Sequence, residues 1–140
     1  MPYAGDVTPR DAWDQLTIDP QTVLVDVRTV EEWLEVGVPD SPSDDKPVRF
    51  VEWATHDGPN PRFLAQLEAA GVAKDATVLF LCRSGGRSVA AAEAATAAGW
   101  ASSYNVLQGF EGDFDALGGR TVNGWLNAGL PTTSYAGPVE

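Results

Sequence analysis

Residues 77–98 read TVLFLCRSGGRSVAAAEAATAA, and the fold class follows from how this stretch divides. Thr77 to Leu81 is an unbroken run of β-branched and apolar residues, which suits a strand covered on both faces better than one with a wet side. Ser88 to Ala98 holds seven alanines and reads as a helix, with Gly99 as its stop signal. So many small side chains imply close packing of that helix on the sheet. Between strand and helix lies Cys82-Arg83-Ser84-Gly85-Gly86-Arg87-Ser88, a turn that carries the only cysteine of the chain.

The same alternation extends in both directions. Thr8 with Pro9 and the apolar positions Ala12, Trp13 and Leu16 reads as an N-cap, a first-turn proline and a short amphipathic helix. Val23 to Val27 is a second buried strand. Thr29 followed by Glu32 three residues later is a capping-box pattern, placing a short helix over 29–36. The stretch GVPDSPSDDKP at 37–47 is rich in turn formers and reads as a surface loop. Val48 to Trp53 is a further strand, Pro61 to Ala70 a helix stopped by Gly71, and Tyr104 to Leu107 another short strand. The glycine-rich connection 108–120 is read as loop, Asn123 to Ala128 as a last helix, and residues 132–140 as a frayed tail. Strands alternating with helices predict a three-layer α/β/α domain on a parallel sheet, one domain over 1–131 with the tail beyond it.

Composition narrows the function classes. Twenty acidic against nine basic residues give a net charge of −11, which argues against nucleic acid or an anionic membrane as partner, since both need clustered Lys and Arg. A small molecule or a basic protein fits better. No apolar run reaches the roughly 18 residues of a membrane span, and the first residues lack a signal-peptide pattern, so a cytoplasmic protein is expected. One cysteine and one histidine, Cys82 and His56, do not make a metal-ligand set, and no cofactor is called for.

The turn at 82–88 carries the chemistry. Ligands of open α/β sheets bind at the carboxyl ends of strands, where a helix N-terminus offers unpaired N–H groups to an anion. Gly85 and Gly86 allow the backbone to curl so that successive N–H groups point inward. A cysteine in such a cradle, flanked by Arg83 and Arg87, is set up as a nucleophilic thiolate.

Cys-Arg-Ser-Gly-Gly-Arg-Ser resembles the active-site loop of single-domain rhodaneses. Val25-Asp26-Val27-Arg28 with Glu31-Glu32-Trp33 is similar to that family's first signature, and Gly124-Trp125 with Ala128-Gly129-Leu130-Pro131 to its closing helix, so the resemblance covers most of 6–131. It implies a rhodanese-like fold with a roughly five-stranded parallel sheet, and a sulfurtransferase in which Cys82 alternates between thiolate and persulfide. By the same resemblance the donor is thiosulfate or a persulfide, and the acceptor a thiol, cyanide or a sulfur-accepting protein. The backbone of Arg83, Ser84, Gly85, Gly86, Arg87 and Ser88 would hold the persulfide, and the two arginines would dock an anionic donor. Where family members commonly have Gly-His-Ile-Pro-Gly-Ala, this chain has Gly37-Val38-Pro39-Asp40-Ser41-Pro42 and then more acidic residues. That acidic rim favours a persulfide carrier or protein thiol over thiosulfate.

Two rival readings have distinct signatures. A cysteine-dependent phosphatase or arsenate reductase places five residues between cysteine and arginine, whereas only Arg83-Ser84-Gly85-Gly86 separate Cys82 from Arg87. A non-catalytic binding or redox-sensing module would be expected to lack the nucleophile or to add a resolving cysteine, and neither holds here. Asp26 with Arg28, at a buried strand end, reads as a structural support for the neighbouring loop. Trp33, Trp53, Trp100 and Trp125 read as core or pocket wall.

Overall fold

The computed structural model describes residues 2–55, 57–84 and 86–137; His56 and Gly85 lie outside the described residues. In chain order the elements are β1 (Gly5–Val7), α1 (Pro9–Ile18), β2 (Thr22–Asp26), α2 (Val30–Val36), β3 (Val38–Pro39), β4 (Arg49–Phe50), β5 (Ala54–Thr55), β6 (Gly58–Pro59), α3 (Phe63–Ala69), β7 (Thr77–Leu81), α4 (Gly86–Ala97), β8 (Ser103–Val106) and β9 (Thr132–Thr133). Five of the strands form one sheet in the order β1-β8-β7-β2-β4, parallel throughout. The central pair, β2 with β7, runs in register from Thr22 opposite Thr77 to Asp26 opposite Leu81.

Local chemistry starts the helices where the sequence places them. The Thr8 side chain accepts from Asp11 N, and Pro9 opens α1 because its missing N–H is one a first turn cannot use anyway. Thr29 and Glu32 close a complete capping box at α2, the Thr29 hydroxyl accepting from Glu32 N and the Glu32 carboxylate from Thr29 N.

Alternation along the central strands builds two cores. Val78 and Phe80 of β7 face one side with Phe63, Leu67, Ala91, Ala92, Ala95 and Trp100, under α3 and α4. Leu79 and Leu81 face the other with Ala12, Leu16, Phe110, Trp125 and Leu130. Burying a Leu or Phe side chain contributes about 1.5–3 kcal/mol, so each face gains enough to hold its layer. The second face is covered by α1 and by the irregular connection 107–130, which supplies Phe110 and Trp125.

Three sequence expectations change. Asn123–Ala128 is not a regular helix: Gly124 has φ +97°, and a Cβ there would lie 2.6 Å from Gly112 N. The close approach of these two glycines fixes a non-helical start, and what remains is one turn, Ala128 N donating to Gly124 O at 2.9 Å. The segment expected as a frayed tail is docked over 132–137. Thr132 and Thr133 pair antiparallel with Pro39 and Val38, and the Tyr135 ring lies 5.1 Å from both Trp33 and Phe50. Aromatic packing of that kind outweighs the freedom of a polar tail. Val48–Trp53 shortens to the edge strand β4, and β1 was not anticipated at all.

Candidate active site

Cys82 follows the last residue of β7, at the carboxyl edge of the sheet, and is 1% exposed. The chain turns there into α4, whose buried face is Ser88, Ala91, Ala92 and Ala95. The alanines let the helix settle on β7 and β8, and that contact brings Ser88 back over the cysteine. Ser88 Oγ lies 3.2 Å from Cys82 Sγ. The Ser88 hydroxyl donates to Asn105 Oδ1 at 2.5 Å. Asn105 Nδ2 donates in turn to Asp6 Oδ1 at 3.0 Å, and the Tyr3 hydroxyl donates to the same oxygen at 2.9 Å. Its hydrogen bond to Asp6, then burial and the nearby carboxylates, hold the Tyr3 phenol above its ordinary value. A polar chain thus crosses from the cysteine just after β7, through Ser88 of α4 and Asn105 of β8, to the edge strand β1.

The loop backbone is tied down on its other side. Phe110 N donates to Cys82 O at 2.8 Å, and Glu111 N and Gly112 N donate to Arg83 O at 3.0 and 3.2 Å. Gly109 makes this approach feasible, with φ +62°. A Cβ on it would run into the Cys82 carbonyl oxygen and lie 2.6 Å from the Arg83 carbonyl carbon and oxygen. The Cys82 and Arg83 carbonyls are thereby pinned to the 110–112 segment.

Both loop arginines are engaged by carboxylates. Arg87 makes a fork with Glu32, at 2.7 Å from Nη1 and 3.0 Å from Nη2, and the two side chains are 30% and 21% exposed. Burial pushes the Glu32 carboxyl up, but the Arg87 hydrogen bond, the Thr29 N–H and the Arg87 charge outweigh it and hold Glu32 at about 2. Arg87 is raised in return, first by its hydrogen bond to Glu32. Arg83, more exposed, pairs with Glu111 at 3.0 Å. Ser84 and Gly86 lie at the surface of the turn. Of the residues singled out in the sequence, the structure joins Cys82 and Ser88 directly and sets Arg83 and Arg87 in ion pairs beside them.

Beneath the loop, Arg28 and Asp26 form a fully buried pair at 2.7 Å. Arg28 also donates to Gly37 O at 2.9 Å and stacks 4.1 Å from the Phe110 ring centre. The pair therefore holds the turn after α2 against the segment that pins the cysteine loop, a structural role. Sequence reasoning missed Glu32 and Glu111 as arginine partners, and Asn105 and Asp6 behind Ser88. Asn105 did leave a signal, an amide inside the otherwise apolar run Tyr104–Leu107, and the structure buries it to 2% exposure. Among the described residues no group of His, Cys, Asp and Glu could hold a metal ion, and no helix is long and apolar enough to cross a membrane.

A five-stranded parallel sheet with helices on both faces and a cysteine turn at the carboxyl end of its central strand defines a rhodanese-like α/β domain. More narrowly, the chain belongs to the STR4 middle-domain family, whose model matches residues 4–136. Among curated proteins it is 37% identical over 123 residues to uncharacterized protein RC0915 of Rickettsia conorii, covering 86% of this chain and 89% of that one. To uncharacterized protein RP600 of Rickettsia prowazekii it is 34% identical over 120 residues, with the same coverage of 86% and 89%. Among solved structures, the crystal structure of Rv0390 from M. tuberculosis superposes with a TM-score of 0.86 at 52% identity, over 95% of this chain and 99% of that one. The polysulfide-sulfur transferase homodimer of Wolinella succinogenes gives 0.62 at 21% identity, covering 94% and 79%. A possible tyrosine phosphatase from Rhodopseudomonas palustris gives 0.56 at 22% identity, covering 92% and 84%. At those last two identities the likeness is one of fold.

Proposed function

We propose that this protein is a sulfurtransferase in which Cys82 carries sulfur as a persulfide. The observation that supports it most is the placing of the only cysteine in the chain at the C-terminal end of β7 and the opening of α4, with its turn pinned by Phe110, Glu111 and Gly112. Such a turn presents N–H groups to an anion without reorganisation. In the first half-reaction the Cys82 thiolate attacks the outer sulfur of a persulfide or thiosulfate. An Sγ–S bond forms, the donor S–S bond breaks, and its electron pair leaves with the donor thiolate or sulfite. The negative charge now sits on the outer sulfur, held by N–H groups of residues 83–88. In the second half an acceptor thiolate or cyanide takes that sulfur and returns the electron pair to Sγ.

Because Glu32 and Glu111 neutralise Arg87 and Arg83, the side chains around the loop supply little net charge to a doubly charged donor. A singly charged organic persulfide suits this site better than thiosulfate, in keeping with the acidic 40–45 segment. With no second cysteine within these residues, the sulfur leaves to another molecule, a small thiol or a sulfur-accepting protein. The test is intact mass before and after a persulfide donor, for the parent chain and Cys82→Ser, followed by cyanide. Gain of one sulfur only with Cys82, reversed by cyanide, is expected. No gain with any donor would overturn the reading, and phosphate release from an aryl phosphate would replace it.

A further inference from the structure

The ion pairs of the described residues all gather at the cysteine turn, and they differ in how far water reaches them. Asp26–Arg28 is sealed, with both side chains at 0% exposure. Arg87–Glu32 is partly closed, at 30% and 21%, and its guanidinium is tied by two hydrogen bonds to a carboxylate that also caps α2. Arg83–Glu111 is open on the arginine side, 47% exposed against 16% for its carboxylate, and its shortest contact runs through Nε at 3.0 Å. A guanidinium has five N–H donors, of which one carboxylate can fill two. Arg83, the residue next to Cys82, therefore keeps donors for a second anion.

Glu111 is no loose surface partner. Its own N–H donates to the Arg83 carbonyl at 3.0 Å, and Gly112 N adds a second bond at 3.2 Å. The segment that fixes the Arg83 backbone thus also delivers the carboxylate to its side chain. An incoming anion meets a pair whose charges cancel, and the negative member is the less screened of the two because it is the more buried. A singly charged donor tolerates that balance, since it needs only N–H groups for its one charge. A dianion is opposed by it, because its second charge finds no uncancelled cation.

We propose that Glu111 is a specificity-determining residue: it occupies Arg83 and so sets the cysteine turn against doubly charged donors such as thiosulfate, leaving singly charged organic persulfides as the class that loads Cys82. Arg87 does not take over, because its fork is committed to Glu32. This rests on the reading of Cys82 as the sulfur carrier, and it adds that one carboxylate outside the 82–88 turn chooses the donor.

The test follows sulfur loading as the second-order rate of mass gain, by quenched intact mass, with thiosulfate as the doubly charged donor and 2-hydroxyethyl persulfide as the singly charged one. Glu111→Gln keeps the backbone bond to Arg83 and puts a neutral amide beside the guanidinium. An exposed ion pair changes an equilibrium by at most about fivefold, so thiosulfate loading should rise about fivefold in Glu111→Gln while persulfide loading changes by less than about twofold. In an Arg83→Met background the same substitution should raise thiosulfate loading by less than about twofold, since no guanidinium is released. An equal rise in the two backgrounds would assign the effect to the carboxylate's field alone and overturn the role of Arg83. An unchanged or lower thiosulfate rate in Glu111→Gln would also overturn the proposal, provided its urea unfolding matches the parent. Glu111→Ala, which lacks the amide but keeps the backbone bond, should move thiosulfate loading in the same direction, and a fall there would count equally against it. No sulfur gain from either donor in the parent would remove the carrier reading and this one with it. Gain from the persulfide, with a thiosulfate rate indifferent to Glu111, would remove this one alone.

Discussion

Replacing Glu32 by Gln tests how the Arg87 fork contributes to the fold. The Glu32 carboxyl sits at about 2 against an ordinary 4.5. At about 1.4 kcal/mol per pH unit the difference amounts to about 3 kcal/mol of stability. Both side chains keep some contact with water, 21% and 30% exposed, which screens part of it. Gln also retains the capping geometry and a neutral hydrogen bond to Arg87, roughly half as strong as the charged one. The expected loss at neutral pH is therefore about 2 kcal/mol. Its sign with pH is fixed: a carboxyl held below its unfolded value stabilises the fold fully above about 4.5 and loses that contribution as pH falls toward about 2. Arg87 stays charged throughout and adds no slope. Urea unfolding followed by tryptophan fluorescence, from neutral pH down to about 3, should show parent and Glu32→Gln converging in acid. A gap below about 0.5 kcal/mol at neutral pH, or one that does not narrow in acid, would refute the reasoning.

Two further substitutions probe the frame of the site. Gly109→Ala, forced into φ +62° and against the Cys82 and Arg83 carbonyls, should cost more than about 2 kcal/mol in urea unfolding and abolish sulfur gain by mass. Arg28→Met leaves the Asp26 carboxylate buried without its cation and should cost about 3–5 kcal/mol, much of it recovered when Asp26→Asn is added.

What could be read from the sequence was what neighbouring residues decide among themselves. Thr8 with Pro9, the Thr29–Glu32 box and the run Thr77–Leu81 carry their signals within a few positions, and the structure places them accordingly. The cysteine turn was legible for the same reason. What could not be read depends on distant partners. Nothing near Arg87 announces Glu32, 55 positions away, and nothing in Thr132–Thr133 announces Val38 and Pro39. Asn123–Ala128 failed in the opposite sense, since a sound local helix pattern yields to the contact between Gly112 and Gly124.

The hydrogen bond from Asn105 to Asp6 joins residues 99 positions apart, while the strand, turn and helix around Cys82 are contiguous. Contacts that close long loops form late, after local units have condensed. Folding is therefore expected to pass through an interval in which the β7–α4 unit has formed but β1 has not docked and the Asn105–Asp6 bond is absent. The thiol passes through that interval without the setting of the finished protein. Its labelling rate during refolding would time the arrival of the edge strand.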